Sequence, residues 1–221
     1  FKQKTAYEIY QCDWSSDVCS SDLNAEKPTI EKLVALLQTQ GFVEDVRSYI
    51  GNIIGELCDN SMTHSSPAAG DRICFFSAKR YRLEGEEGEE GECVVIGIAD
   101  IGDGVHSTLK ENKKFKELSD EDAFLEAFKS FRSSWPDEAG RGKGLTDVLG
   151  IAYGNHGIMR AESGTHGLYF NFRKNVGRAI RMNPITTVRG TRFGIILINN
   201  SFEKRSRADV DKLITTLQEK I

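Results

Sequence analysis

The chain has no long apolar segment and no excess of basic charge. No run of residues approaches the ~20 consecutive apolar positions that a helix needs to cross a bilayer, so we expect no membrane segment. Lys and Arg number 29 against 33 Asp and Glu, which gives a formal net charge of −4. Because nucleic-acid-binding proteins usually carry a basic patch, this balance predicts no nucleic-acid partner.

The first 23 residues differ in character from the rest of the chain. Residues 2–9 and 13–23 resemble the translation of the two constant parts of a common short-read sequencing adapter, and residues 10–12 fill the place of its index. We therefore interpret residues 1–23 as an adapter-derived, disordered artefact and exclude them from fold reasoning. The alternative is a natural leader rich in Ser and Asp. On the first interpretation, residues 24–221 are expected to form a single domain whose natural amino terminus is missing.

Cysteine is scarce and unpatterned outside that segment. Cys58, Cys74 and Cys93 form no C-x-x-C pair, and their number is odd. Such spacing argues against a disulfide or zinc framework and is typical of proteins kept in a reducing cytoplasm. We therefore expect a cytoplasmic protein whose thiols act as small apolar residues.

Hydrophobic periodicity predicts mixed α and β structure. The predicted helices cover residues 30–38, 43–64, 119–131, 145–152 and about 203–220, and the predicted strands cover residues 72–83, 93–100, 157–162, 168–173 and 192–198. Helices followed by strands that pair mostly with their chain neighbours predict an α/β two-layer sandwich. We expect a mixed, mostly antiparallel sheet with helices on one face.

A carboxylate and an amide lie one turn apart on the predicted helix 43–64. Glu56, Asn60 and His64 are spaced i, i+4, i+8 and share one stripe of that helix, whereas Leu57 belongs to its apolar side. A carboxylate can activate a water molecule, and an amide oxygen is a ligand that Mg²⁺ accepts. Taken alone, the same pattern also fits a solvent-facing helix stripe, with His64 interacting favourably with the helix dipole.

The first glycine-rich turn follows an apolar strand. Asp100 ends that strand, and Gly102 and Gly104 follow where the backbone could come close to a flat ring. The Asp100 carboxylate could there accept a hydrogen bond from an exocyclic amine. The alternative is an Asx-type turn in which the glycines only permit positive φ.

The second glycine-rich turn, residues 140–145, precedes a predicted helix. Unpaired backbone N–H groups and the positive end of that helix favour an anion, and Arg141 and Lys143 add positive charge. The turn is not a Walker A loop, because Lys143 is followed by Gly144 and Leu145 rather than by Ser or Thr.

In this order, the three motifs resemble the nucleotide-binding boxes of the GHKL superfamily: gyrase-type topoisomerases, heat-shock chaperones, histidine kinases and MutL-type repair proteins. The resemblance covers about residues 43–199 and implies the same two-layer fold, with ATP and Mg²⁺ as cofactors. It implies that Glu56 is the general base, that Asn60 is the magnesium ligand and a nucleotide contact, and that Asp100 accepts the adenine N6 amine. The further nucleotide contacts that it implies are Gly102, Gly104, Arg141, Gly142, Lys143, Gly144, Leu145 and, from a later Gly-Thr box, Thr191. A plain strand start is the alternative for Thr191.

The resemblance also implies that residues 105–139 form an ATP lid. With glutamate at position 56, the chain resembles the hydrolases and the anti-sigma-type kinases of the superfamily, which carry glutamate at the matching position. Histidine kinases often carry asparagine there. The chain is most similar to stand-alone bacterial histidine-kinase-like ATPases. We favour a slow, Mg-dependent ATPase whose lid closure regulates a protein partner. The alternatives are an anti-sigma-type serine/threonine kinase, the catalytic fragment of a sensor histidine kinase, and a non-catalytic nucleotide sensor.

Overall fold

The structure is a computed structural model that describes most of the chain after residue 40. The described residues are 31, 35, 38–39, 41–64, 74–83, 91–134, 142–173, 178–182, 186–199 and 202–219. Residues 1–23, interpreted above as a disordered artefact, lie outside them, and so does most of the helix predicted over residues 30–38. Within the described ranges, no helix combines the length and the apolar character that crossing a membrane requires.

These residues form a mixed α/β fold with five helices and one open sheet of six strands. The helices are α1 Glu44–His64, α2 Val105–Lys110, α3 Asp120–Glu126, α4 Gly144–Gly154 and α5 Arg207–Gln218. The strands are β1 Cys74–Leu83, β2 Gly91–Asp100, β3 Ile158–Gly164, β4 His166–Asn171, β5 Arg178–Met182 and β6 Val188–Ile198.

The strand order in the sheet is β1-β2-β6-β3-β4-β5, so the last strand of the chain lies at its centre. Every neighbouring pair of described strands is antiparallel. The expectation of a mixed sheet is therefore corrected for the described strands. The path of the chain explains the difference. After β5 the chain crosses back over the sheet, and β6 enters between β2 and β3 in the direction that is antiparallel to both.

Helices α1, α3, α4 and α5 contribute to a main core on one face of the sheet. Successive strand residues point to opposite faces, and Ile96 and Ile98 of β2 both face this core. On the other face, Cys93 packs with Ile158 and Ile196 in a small separate cluster. This arrangement is consistent with the predicted α/β sandwich.

Helix α1 matches the helix predicted over residues 43–64. Its buried apolar residues recur at three- and four-residue spacings: Val46, Ile50, Ile53, Ile54 and Leu57. Glu44 and Asp45 in its first turn interact favourably with the positive end of the helix dipole. Because the apolar stripe faces the sheet, Glu56 and Asn60 are left on the outer side of the helix.

The C-terminal helix is shorter than the predicted 203–220. Helix α5 begins at Arg207 because Ser206 caps it: the Ser206 hydroxyl accepts the Asp209 N–H, and the Asp209 carboxylate accepts the Ser206 N–H. The cap fixes the start of the helix at the residue after Ser206.

Two other expectations need correction. The helix predicted over residues 119–131 has the expected Ser119 cap but ends at Glu126. The residues after it form turns that lead to Phe131, whose φ is +60°. Strand β5, Arg178–Met182, was not predicted; it is an edge strand with no fully buried residue, so it lacks a strong apolar alternation.

Candidate functional site

A pocket of about 590 Å³ is lined by α1, α2, the end of β2, the start of β6 and the first turn of α4. Its volume lies within the roughly 300–1,000 Å³ of typical small-molecule sites. The predicted site residues that line it are Glu56, Asn60, Asp100, Gly104, Gly142, Lys143, Gly144, Leu145 and Thr191. The fold therefore brings all three motifs to one place.

Beyond the residues of the pocket wall, the sequence predicted two further site residues, Gly102 and Arg141. Gly102 is buried beside the pocket wall and donates its backbone N–H to Asp100 Oδ1. Arg141 lies outside the described residues, as does the side chain of His64. The role of Gly102 in this structure is to orient Asp100.

Asp100 is held by donors from three directions. Its Oδ1 accepts the backbone N–H groups of Gly102 at 2.8 Å and Thr191 at 3.2 Å, while the Ser61 hydroxyl lies 3.3 Å from Oδ2. The bond from Gly102 is the Asx-type turn considered above. Asp100 therefore makes that turn and also lines the pocket. Burial raises the pKa of Asp100, and these three hydrogen bonds oppose the rise.

A β-bulge packs against Asp100 from the side of β6. The pairing of β3 with β6 shifts at Ser163 and Gly164. The Ser163 hydroxyl donates to the Gly190 carbonyl at 3.1 Å and accepts the Val105 N–H at 3.1 Å. Gly190 has φ +76°, and a Cβ there would meet the backbone carbonyl of Asp100. Strand β6 begins at Val188 rather than at 192, so Thr191 lies inside the strand.

Gly190→Ala should lower the free energy of unfolding by about 1–3 kcal/mol, because it combines a positive φ with a clash against backbone that cannot rotate away. Urea or thermal unfolding measures the loss. Gly55→Ala is the matched control: its Cβ would meet nothing within 4 Å in α1, and alanine favours a helix by up to ~1 kcal/mol. Equal stability of Gly190→Ala and wild type would show that this turn is not constrained as described.

Glu56 and Asn60 face the start of α4. A Cβ on Gly144 would clash with Glu56 Oε2 and lie 3.4 Å from Asn60 Nδ2. The Glu56 side chain keeps an exposed edge, but partial enclosure beside α4 raises its pKa, and repulsion from Asp147 and Asp59 raises it further. A carboxylate with a raised pKa is better suited to accept a proton.

Positive groups also lie around the start of α4. Lys143 is the N-cap residue of the 11-residue α4 and makes no side-chain cap bond, so the first N–H groups of the helix and its positive dipole end face the pocket. Gly142, with φ +77°, packs against the backbone of Arg132, and a Cβ there would lie 2.5 Å from the Arg132 carbonyl oxygen. Arg132 Nε donates to Glu126 at 2.8 Å. This wall suits an anion.

The segment expected to be a lid forms another wall of the pocket. Its described part, residues 105–134, contains α2 and α3, and Leu109, Ala123 and Ala127 form a buried cluster between them. Phe124 joins the main core. Residues 135–139 of the expected lid lie outside the described residues.

Sequence reasoning missed several polar residues of the pocket, among them Ser61 and Asp147. Ser61 follows Asn60 directly, so its place on the same helix was visible from the sequence, but its contact with Asp100 was not. Asp147 lies in the first turn of α4, where the Arg207 guanidinium holds it with two hydrogen bonds of 2.8 and 2.7 Å. That pair joins residues 60 positions apart, which no local pattern reveals.

No family model, no curated protein and no solved structure matches this chain. The pocket itself is therefore the basis for a functional proposal. Among the described side chains, no group of three or more His, Cys, Asp or Glu could hold a metal ion. A magnesium ion at Asn60 would accordingly need oxygen ligands from a bound phosphate group and water.

Proposed function

We propose that this chain is a Mg-dependent ATP-binding protein of the GHKL type that hydrolyses ATP slowly, and that closure of residues 105–139 regulates a protein partner. The observation that carries the proposal is the meeting of the three motifs around one pocket. The α/β sandwich with an antiparallel sheet is further support, since the motif resemblance implies a two-layer fold of this kind.

The two ends of the pocket differ in chemistry, as a nucleotide requires. At one end, the oriented Asp100 carboxylate lies beside Gly104 and Thr191, where it offers an acceptor to the adenine amine. At the other end, the start of α4 and Lys143 offer N–H donors and positive charge to phosphate oxygens. Base recognition and phosphate binding are thereby assigned to separate residues.

Glu56 and Asn60 have separate roles at the phosphate end. Asn60 would hold Mg²⁺, which supplies neutralisation of phosphate charge. Glu56 would orient a water molecule and accept its proton. Because Gly144 has no Cβ, both side chains can lie close to the start of α4. The proposed base is therefore close to the anion-binding end of the helix.

Turnover should rise with pH as Glu56 loses its proton. A general base acts only as the carboxylate, and the pKa of Glu56 is raised by enclosure and by the negative charges of Asp147 and Asp59. The rising limb of kcat/KM should therefore lie at higher pH than for an ordinary glutamate. Asp147→Asn should move that limb to lower pH. A steady-state pH profile measures both, and a limb that does not move would contradict this account of Glu56.

The reaction class is tested by incubating the purified chain with Mg-ATP and measuring released and protein-bound phosphate. Slow phosphate release without any partner supports the ATPase. Phosphate on a serine or threonine of a co-purified protein would instead identify a kinase, and binding without turnover would identify a sensor.

Asn60→Ala should lose Mg-dependent ATP binding, because the amide oxygen contacts the ion already in the ground-state complex. ATP titrations with and without Mg²⁺ measure the loss. Asn52→Ala is the matched control, since Asn52 is an exposed asparagine two turns earlier on α1. Unchanged Mg²⁺ dependence in Asn60→Ala would remove Asn60 from the metal site.

A further inference from the structure

Two thiols that are 16 positions apart in the sequence meet inside the fold. Cys58 lies on the inner side of α1 and Cys74 is the first residue of β1. Their Sγ atoms are 3.6 Å apart, and the two side chains are 5 % and 8 % exposed. The spacing of these cysteines in the sequence gave no indication of a pair.

The pair lies next to two elements of the candidate site, α1 and the end of β2. Cys58 stands between Glu56 and Asn60 on α1, and Cys74 is directly opposite Asp100 in the β1–β2 register. A bond between the two sulfurs would therefore join the helix of the first motif to the strand beside the second.

We propose that Cys58 and Cys74 are a redox-active dithiol, a modification site at which a peroxide oxidises the two thiols to a disulfide and lowers turnover at the adjacent pocket. The Cys74 thiolate attacks one oxygen of hydrogen peroxide and becomes a sulfenic acid as hydroxide leaves. The Cys58 sulfur then attacks the Cys74 sulfur and expels the second oxygen as water. In total, two thiols and one peroxide give one disulfide and two waters.

The regulatory half of the proposal rests on the proposed function and follows from a change in distance. Disulfide sulfurs are about 2.05 Å apart, so the two Sγ atoms must approach by about 1.5 Å. Side-chain rotation and movement of α1 towards β1 share that displacement. Glu56 and Asn60 are set against Gly144, and a shift of ~1 Å in a catalytic group can cost on the order of 10²-fold in rate.

Cys93 provides a matched control. It is buried on the other face of the sheet, beside Ile158 and Ile196, and burial raises the pKa of its thiol to about 11. Because Cys58 and Cys74 belong to the main core on the opposite face, Cys93 is not expected to enter their linkage.

The test treats the full chain with hydrogen peroxide, digests it without reductant and maps the linked peptides by mass spectrometry. The mapping also separates Cys12 and Cys19 from the pair. We expect a Cys58–Cys74 linkage two hydrogens lighter than the dithiol, at least a tenfold loss of Mg-ATP turnover, and recovery of both with dithiothreitol. Cys74→Ser should retain turnover and resist peroxide, whereas Cys93→Ala should remain as sensitive as wild type.

Absence of the Cys58–Cys74 linkage, or equal peroxide sensitivity in Cys74→Ser, would overturn the proposal. A linkage that leaves turnover unchanged would overturn its regulatory half. If the reduced wild type shows no turnover at all, the proposed function is wrong. The formation of the Cys58–Cys74 linkage and its reversal by dithiothreitol then still show whether the pair is a modification site.

Discussion

Glu56→Ala should lower ATP turnover by about 10²–10⁴-fold, the usual contribution of a general base, while ATP affinity is largely unchanged. Under the proposed function, the carboxylate acts mainly in the transition state, whereas phosphate binding is assigned to the start of α4 and to Asn60. Phosphoryl transfer needs little from the protein beyond positioning and charge neutralisation, so the nucleotide should still bind. Turnover and the ATP dissociation constant, measured on the same preparation, check the two halves of this prediction.

The exposed position of Glu56 allows an effect on turnover to be separated from an effect on stability. Its side chain keeps an exposed edge, so truncation creates no core cavity and the thermal midpoint should stay near that of wild type. Glu56→Gln, which keeps the shape, should lose turnover as alanine does, and Asp45→Ala at an exposed position of α1 should not. Full activity in Glu56→Ala, without contaminating hydrolase, would remove the hydrolytic role and favour the kinase or the sensor.

Asp100→Asn should weaken ATP binding by about 1–3 kcal/mol, roughly 5–150-fold. Two backbone N–H groups, from Gly102 and Thr191, donate to Oδ1, so an asparagine would keep its oxygen there. Its NH₂ group would then replace Oδ2, and an acceptor for the adenine amine would become a donor. The variant should therefore lose base recognition without losing the turn.

Calorimetric titration with ATP and with GTP measures this effect. Wild type should prefer ATP, because adenine presents an exocyclic donor where guanine presents an acceptor. Asp100→Asn should narrow that preference, and Asp103→Asn, an exposed carboxylate in the same turn, should leave it unchanged. A wild type that prefers GTP, or an Asp100→Asn variant that binds ATP unchanged, would show that Asp100 does not recognise adenine.

The parts of the site that were predictable are those set by local sequence. The three- and four-residue spacing of Ile50, Ile53 and Leu57 predicts α1, and with it the shared outer stripe of Glu56 and Asn60. The apolar run before Asp100 likewise predicts the buried strand β2. In α1, the helical period places the apolar residues on the buried side. In β2, a continuous apolar run is the pattern of a strand buried within the sheet.

The remaining contacts depend on tertiary packing. The Ser163 bond to Gly190 needs the bulge between β3 and β6, and the Cys58–Cys74 pair needs α1 to lie on β1. Phe128 shows the same limit in another way, since it is buried although it lies in a turn after α3. Its apolar side chain fits the spacing of the helix predicted over residues 119–131, but that helix ends at Glu126.

The most direct test of the central claim is a calorimetric titration of the reduced wild-type chain with ATP, with and without Mg²⁺. The account predicts saturable binding at one site that is strengthened by Mg²⁺ and tighter than the binding of GTP. The absence of saturable ATP binding under both conditions would contradict it.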